Sequence, residues 1–200
     1  MAELKENKVN EPKVDDIKAA AEEKACPVQK ARYYVTEFLA GGLMCGKCLP
    51  CAIGSYEAGI RLESIVEGRG VEADIAALGR IATVMLDGAR CKKGKDTAGF
   101  ILEWMGTGLY REHIEGRCPD RKCLAFIEYR IIPEKCTMCG LCREACKHNA
   151  LSGQKRRPYL GGYLPFEIRQ KKCVKCDECR KVCPEEAIVI DVKSKEPVGV

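Results

Sequence analysis

From Pro27 onward, apolar residues recur every three or four positions: Val28, Ala31, Tyr34, Val35, Phe38 and Leu39. That is the period of a helix burying one face, and Gly41-Gly42 stops it. A second helical pattern runs from about Pro50 to Glu67 and ends at Gly68. A third carries Val71, Ile75, Leu78, Ile81, Ala82, Met85 and Leu86 as far as Gly88. The fourth covers Thr97 to about Ile114, with Phe100, Ile101, Trp104, Met105 and Leu109 facing inward. Four such helices predict a small bundle. Residues 1–26 ahead of it are polar and alternate in charge. Pro12 is placed to open a short helix through Lys24, with Val14, Ile17 and Ala21 on one stripe. So weak a stripe predicts either a flexible tail or a segment that docks on a partner subunit. After the bundle the period changes. Residues 124–132, LAFIEYRII, alternate as a strand does and are expected to pair with Ala187–Val192. The basic, aromatic segment 154–166 reads as a hairpin or loop, serving as cover or as a docking surface. Gly161-Gly162 within it is an isolated turn pair.

Fifteen cysteines interrupt these patterns. Cys136, Cys139, Cys142 and Cys146 form one C-x2-C-x2-C-x3-C run, and Cys173, Cys176, Cys179 and Cys183 form another, followed by Pro184. Three thiolates two residues apart can wrap one cubane cluster if the loop is tight, and the fourth corner must come from elsewhere. Zinc knuckles use pairs of cysteines rather than triplets, and the triplets are too tight for ordinary disulfides. The spacing resembles that of a bacterial ferredoxin holding two cubane clusters, where the fourth cysteine of each run ligates the other cluster. The resemblance implies that Cys136, Cys139, Cys142 and Cys183 hold one cluster and Cys173, Cys176, Cys179 and Cys146 the other. A third triplet, Cys45, Cys48 and Cys51, has no cysteine at the fourth position. The next in the chain is Cys91, so a further cluster is expected at one end of the bundle, clasped by the 45–51 loop and Cys91. Gly46 lets the backbone approach the sulfurs, and Pro50 opens the next helix.

Charge at first suggests a different function. The net formal charge is +5, and between Arg117 and Lys181 sixteen Lys and Arg face seven Asp and Glu. Such an excess ordinarily points to nucleic acid. An oxidised four-iron cluster with four thiolates, however, carries a charge of about −2, so three clusters bring the loaded protein near neutrality. The basic excess then balances the metal. The polar N-terminal residues lack the apolar core of a signal peptide, and no run approaches a membrane span. Together with the density of thiols, these features predict a cytoplasmic protein.

Residues 45–51, the helical hairpin, Cys91 with Gly94, and the ending Gly108-Leu109-Tyr110-Arg111-Glu112-His113-Ile114 resemble the iron–sulfur bundle of the NADH-binding flavoprotein subunit of respiratory complex I. That family's motif reads E-S-C-G-x-C-x-P-C-R. Here Leu43-Met44 and Ala52 stand at its flanking polar positions, while the four cysteines match. The order His113, Cys118-Pro119, Cys123 and then a two-cluster ferredoxin resembles the C-terminal part of the NAD-linked subunit of electron-bifurcating hydrogenases. The resemblance covers roughly residues 28 to 190. In such relatives a flavin- and NADH-binding domain with a Gly-rich loop precedes the bundle. Only about 27 residues stand there, with no G-x-G-x-x-G after a strand, so this chain is expected to bind neither flavin nor NAD. One departure is Cys146-Lys147, where relatives have Cys-Pro; a lysine there should raise that cluster's potential.

Three clusters use twelve cysteines and leave Cys26, Cys118 and Cys123. His113, one of two histidines, lies five residues before Cys118. Cys26 heads the first bundle helix, beside which the end of the fourth should lie in an antiparallel bundle. Cys26, His113, Cys118 and Cys123 therefore predict a structural zinc site that would pin the bundle to the ferredoxin domain; the other reading is free buried cysteines and a surface histidine. His148 lacks ligand-like neighbours in sequence and reads as a loop residue.

The expected fold is α+β, a small four-helix iron–sulfur bundle followed by a bacterial-type 2[4Fe-4S] ferredoxin domain. The expected divisions are a polar extension at 1–26, the bundle at 27–116, a linker with a candidate zinc knuckle at 117–132, the ferredoxin domain at 133–193 and a tail at 194–200. The function expected is that of a non-catalytic electron-transfer subunit with three [4Fe-4S] clusters and one zinc. It would relay electrons between a flavin- or NAD(P)-linked subunit and a ferredoxin or second redox subunit of hydrogenase, formate dehydrogenase, or tungsten- or molybdenum-enzyme type. Two other readings compete with it. A radical or substrate-binding cluster enzyme needs an open iron or a C-x3-C-x2-C motif, and neither is visible. A zinc-stabilised interaction or nucleic-acid-binding protein would be colourless.

Overall fold

The computed structural model describes residues 13–156 and 165–193, and it divides the chain into two units, Met1–Cys123 and Leu124–Val200. The division falls inside the segment 117–132. Pro12, most of the basic loop at 154–166 including Gly161-Gly162, and the tail at 194–200 lie outside the described residues.

The first unit is helical. Helix α1 (Val14–Glu22) begins where the Asp16 carboxylate accepts the Lys13 backbone N–H at 3.0 Å. Its Ile17 and Ala21 are buried against a cluster that includes Tyr34, Phe38 and Leu43. The stripe, weak by itself, is therefore docked within its own helical unit. Burying an isoleucine side chain contributes about 1.5–3 kcal/mol, and the Tyr34 and Phe100 rings, stacked at 4.5 Å, stand in the same cluster.

Helix α2 (Pro27–Ala40) takes Pro27 in its first turn and buries Val28, Ala31, Tyr34, Val35 and Phe38, on the predicted period. Helix α3 (Leu49–Val66) starts at Cys48 with Pro50 in its first turn. Helix α4 (Glu72–Gly88) is capped by Asp74, which accepts the Val71 N–H at 2.9 Å. The fourth predicted helix is divided. Helix α5 (Lys92–Leu102) starts five residues earlier than expected, at Cys91. A 3-10 turn covers Met105–Thr107, and helix α6 spans Leu109–Ile114. Gly108, with φ of 76°, breaks the run, because a left-handed residue cannot continue a right-handed helix. The break changes which residues turn inward. Phe100 and Ile101 are buried as expected, but Trp104, Met105 and Leu109 are only half-buried, and Tyr110 and His113 occupy the interior.

The second unit is a pseudo-symmetric pair of loops on two small sheets. Strand β1 (Ile127–Ile131) pairs antiparallel with β4 (Ile188–Val192), Ile127 opposite Val192 and Ile131 opposite Ile188, as the alternation of 124–132 predicted. Strands β2 (Leu151–Ser152) and β3 (Glu167–Ile168) form the second antiparallel pair. Short helices α7 (Leu141–Ala145) and α8 (Glu178–Lys181) carry Cys142 and Cys179. The repeat extends to the backbone. Left-handed residues occur at Met138 and Lys175, at Gly140 and Asp177, and at Asn149 and Glu186, each pair separated as Cys136 is from Cys173. No helix among the described residues is long and apolar enough to cross a membrane.

Candidate metal centres

In the second unit, each hollow between a cysteine loop and the sheets is walled by both runs. One is lined by Cys136, Cys139 and Cys142 together with Cys183. The other is lined by Cys173, Cys176 and Cys179 together with Cys146. Apolar side chains close them, Ile131, Phe166 and Ile188 around the first and Leu151 and Ile168 around the second. The donor set suits a cluster. The Ala150 N–H donates to the Cys146 sulfur, and the Ala187 N–H donates to the Cys183 sulfur, both at 3.4 Å. Hydrogen bonds of this kind favour a thiolate over a thiol. Burial, followed by the neighbouring thiols, pushes Cys142 and Cys179 up to about 11, so metal must displace protons that these thiols would otherwise keep at neutral pH.

The hollows differ in polar lining. Around Cys173 the wall includes His148, Lys175, Asp177 and Glu178, whereas Thr137 and Glu185 face the other. His148 is an exposed turn residue, as expected, and it also borders a cysteine quartet. Its own sequence neighbourhood could not show this, because the quartet reaches it from residues 173–179 of the other run.

In the first unit, Cys48 and Cys51 are buried while Cys45 and Cys91 are exposed. Cys91 caps α5 just as Cys48 caps α3. Burial, and then the neighbouring Cys48, hold the Cys51 thiol above its ordinary range. Two features beyond the cysteines mark this as a prepared cradle. A Cβ at Gly94 would stand 3.1 Å from the Cys51 sulfur and 2.9 Å from the Ala89 side chain, so only glycine leaves Cys51 its place. Ser55, one turn after Cys51 on α3, is fully buried. Its hydroxyl has no hydrogen-bond partner in the structure, and it favours the thiolate form of Cys51. Leaving a buried hydroxyl unsatisfied costs about 1–3 kcal/mol.

The remaining four residues converge. Cys26, His113, Cys118 and Cys123 are all buried, and their donor atoms lie within 4.8 Å of one another. His113 Nε2 is 3.2 Å from Cys26 Sγ and 3.3 Å from Cys123 Sγ, and the two sulfurs are 3.6 Å apart. A tetrahedron built on zinc–sulfur and zinc–nitrogen bonds of about 2.3 and 2.0 Å has edges of about 3.5–3.8 Å, so the cage needs only slight expansion to hold that ion. Local structure sets each ligand. Cys26 caps α2 through the Pro27 start. Gly116, with φ of 81°, ends α6, and the Arg117 N–H returns to the Glu112 carbonyl at 2.8 Å. The Gln29 side-chain amide donates to the Lys122 carbonyl at 3.2 Å, tying α2 to the Cys118–Cys123 loop.

His113 Nδ1 lies 2.8 Å from the Leu109 carbonyl. Donation there fixes the tautomer that leaves Nε2 free to face the thiols. Without metal, the group is electrostatically frustrated. Burial depresses the imidazole, but Cys118 and Cys26 outweigh it and raise it to about 10. Hydrogen bonds from Cys123 and Cys26 drive Cys118 far down, while Cys118 and Cys26 hold Cys123 far up. A divalent cation removes the conflict by neutralising several thiolates together.

With this geometry in view, two family models match parts of the chain. Residues 30–115 match the NADH-ubiquinone oxidoreductase-F iron-sulfur binding region, and residues 135–187 match the 4Fe-4S dicluster domain. The chain thus carries two iron–sulfur domains in the order of the iron–sulfur part of an NADH-binding subunit. Among its relatives, it is 35% identical over 141 residues to the NADP-reducing hydrogenase subunit HndC of Solidesulfovibrio fructosivorans, a match covering 69% of this chain and 28% of that protein. It is 33% identical over 64 residues to the NADP(+)-dependent formate dehydrogenase subunit beta of Moorella thermoacetica, covering 32% of this chain and 9% of that protein. The chain therefore spans less than a third of the length of either relative.

Proposed function

We propose that this chain is the iron–sulfur electron-transfer subunit of a multi-subunit oxidoreductase, carrying three [4Fe-4S] clusters between a flavin- or NAD(P)-linked partner and a second redox enzyme or ferredoxin. The observation that carries it is the pair of hollows, each walled by three cysteines of one run and the fourth of the other. The names of the two relatives support the type of complex, hydrogenase or formate dehydrogenase. Such clusters accept and release single electrons without bond chemistry in the protein. The chain's own residues supply ligation, insulation and charge. Cys136, Cys139, Cys142 and Cys183 hold one cluster, and Cys173, Cys176, Cys179 and Cys146 the second. Cys45, Cys48, Cys51 and Cys91 hold the third at the end of a bundle built on α2 to α5. Phe166, Ile131 and Leu151 exclude water, and the Ala150 and Ala187 amides favour the ligating sulfurs. Cys26, His113, Cys118 and Cys123 hold a structural zinc whose coordination is closed to substrate.

Metal analysis of anaerobically purified protein tests this reading. It predicts about twelve irons with matching acid-labile sulfide, and about one zinc, per chain. A low-potential chemical reductant should bleach the visible band, and oxidised ferredoxin or flavin should restore it. About eight irons would remove the bundle cluster, and twelve irons without zinc would remove only the zinc. A colourless zinc protein would return the chain to the interaction or nucleic-acid class.

A further inference from the structure

Ser55 in α3 carries a buried hydroxyl with no hydrogen-bond partner. Helical serine and threonine side chains usually satisfy themselves by bonding the carbonyl four residues back. Thr83 does so to Gly79 at 2.8 Å, and Thr97 does so to Lys93 at 2.9 Å. Ser55 does not, although the same option lies one turn away. Cys51 lies four positions earlier on the same face of α3, and the Ser55 hydroxyl favours its thiolate form. A Cβ at Gly94 would stand 3.1 Å from the Cys51 sulfur. That sulfur therefore lies against a position that only glycine leaves open, one helical turn before a buried hydroxyl with no hydrogen-bond partner.

We infer that Ser55 is a positioning residue for the bundle cluster, donating its hydroxyl hydrogen to the Cys51 sulfur when that sulfur is a cluster ligand. The inference rests on the proposed ligation of a cluster by Cys45, Cys48, Cys51 and Cys91. A thiolate bound to iron is a far better acceptor than the free thiol, so the contact is completed by loading. Donation to a ligand sulfur withdraws electron density and stabilises the reduced cluster, which raises its potential. Ser55 thus sets the bundle cluster above the value its cysteines alone would give. Among the described residues of the ferredoxin domain, backbone N–H groups of Ala150 and Ala187 take the comparable role at Cys146 and Cys183.

The test is an electron-paramagnetic-resonance redox titration of the loaded full chain, comparing wild type with Ser55→Ala and Ser55→Thr. Alanine fills nearly the same volume and suits a helix, so iron content should hold while the midpoint of one of the three signals moves to a more negative potential. The other two signals are internal references and should stay in place. Ser55→Thr, which keeps the hydroxyl, should keep the wild-type potential. Resonance Raman spectra should show one iron–thiolate stretch shifted in Ser55→Ala alone. Loss of the bundle cluster in Ser55→Ala, with retention in Ser55→Thr, supports the contact equally. Full iron content with all three potentials unmoved in Ser55→Ala overturns it, whatever happens to thermal stability. A wild-type protein with only about eight irons would overturn the underlying cluster assignment instead, and that result is read before any variant is made.

Discussion

The two units gather their proposed ligands by opposite means. In the ferredoxin unit, eight cysteines lie in two runs, and short loops with left-handed residues at repeated positions bring each run around its hollow. In the helical unit, Cys91 must reach a triplet 40 residues earlier, and Cys26 must reach His113 across 87 residues. The first kind of site depends on loop conformation, the second on helices packing at the correct angle and depth. Damage to a single ligand should therefore remain local in the ferredoxin unit, whereas ligand loss and bundle stability should be coupled in the helical one.

The sharpest way to break this comparison is to remove a crossing ligand. Cys183→Ser should cost the cluster of Cys136, Cys139 and Cys142, about four irons, and leave the Cys173 cluster largely intact. Cys146→Ser should do the reverse. If each substitution instead removed the cluster of its own run, as read by which spectroscopic signal disappears, the crosswise assignment would be wrong.

His113→Ala should release the zinc and destabilise the helical unit by more than about 3 kcal/mol, because structural zinc contributes on the order of 10 kcal/mol to folding. Chelation of wild-type protein should lower the thermal midpoint of that unit in the same direction. An unchanged melting curve in a zinc-free protein would show the four residues to be an ordinary core cluster.

Ile17→Ala tests whether α1 belongs to the bundle. Ile17 is 5% exposed, and such a truncation costs about 2–5 kcal/mol. Thermal or chemical denaturation with a loss under about 0.5 kcal/mol, the usual range for surface positions, would mean that α1 is not held there. Gly94→Ala should have the smallest effect on stability, about 1–3 kcal/mol for overpacking. It should nonetheless deplete iron selectively from the bundle, because the new methyl displaces Cys51. Iron content equal to wild type would argue against a tight cradle.

Much of this was legible in the chain. The periods of α2, α3 and α4, the pairing of β1 with β4 and the three cysteine triplets all follow from local spacing, because helix, strand and tight-loop geometry are set within a few residues. The convergence of Cys26, His113, Cys118 and Cys123 was also anticipated, by elimination among cysteines and by the expected neighbourhood of helix ends. Other features were not legible. The fourth helical pattern continued through Gly108, but the left-handed turn there divides it, and a lone glycine does not announce its φ. The α1 stripe is weak by itself and acquires meaning only from the Tyr34 and Phe38 face across from it. His148 has no ligand-like neighbours in sequence, and its place beside Cys173, Cys176 and Cys179 depends on a loop folded back from the second run.

What the sequence alone determined was therefore the inventory: which segments are helical, which cysteines come in cluster-sized triplets, and how many thiols remain over. Tertiary structure decided the partnerships. It set His148 at the wall of the Cys173 hollow, Gly94 against the Cys51 sulfur, and the Leu109 carbonyl against His113 Nδ1. The physical reason is range. Spacing fixes geometry over one or two turns, but a donor atom four ångströms from a sulfur can come from any part of the chain, and only packing selects it.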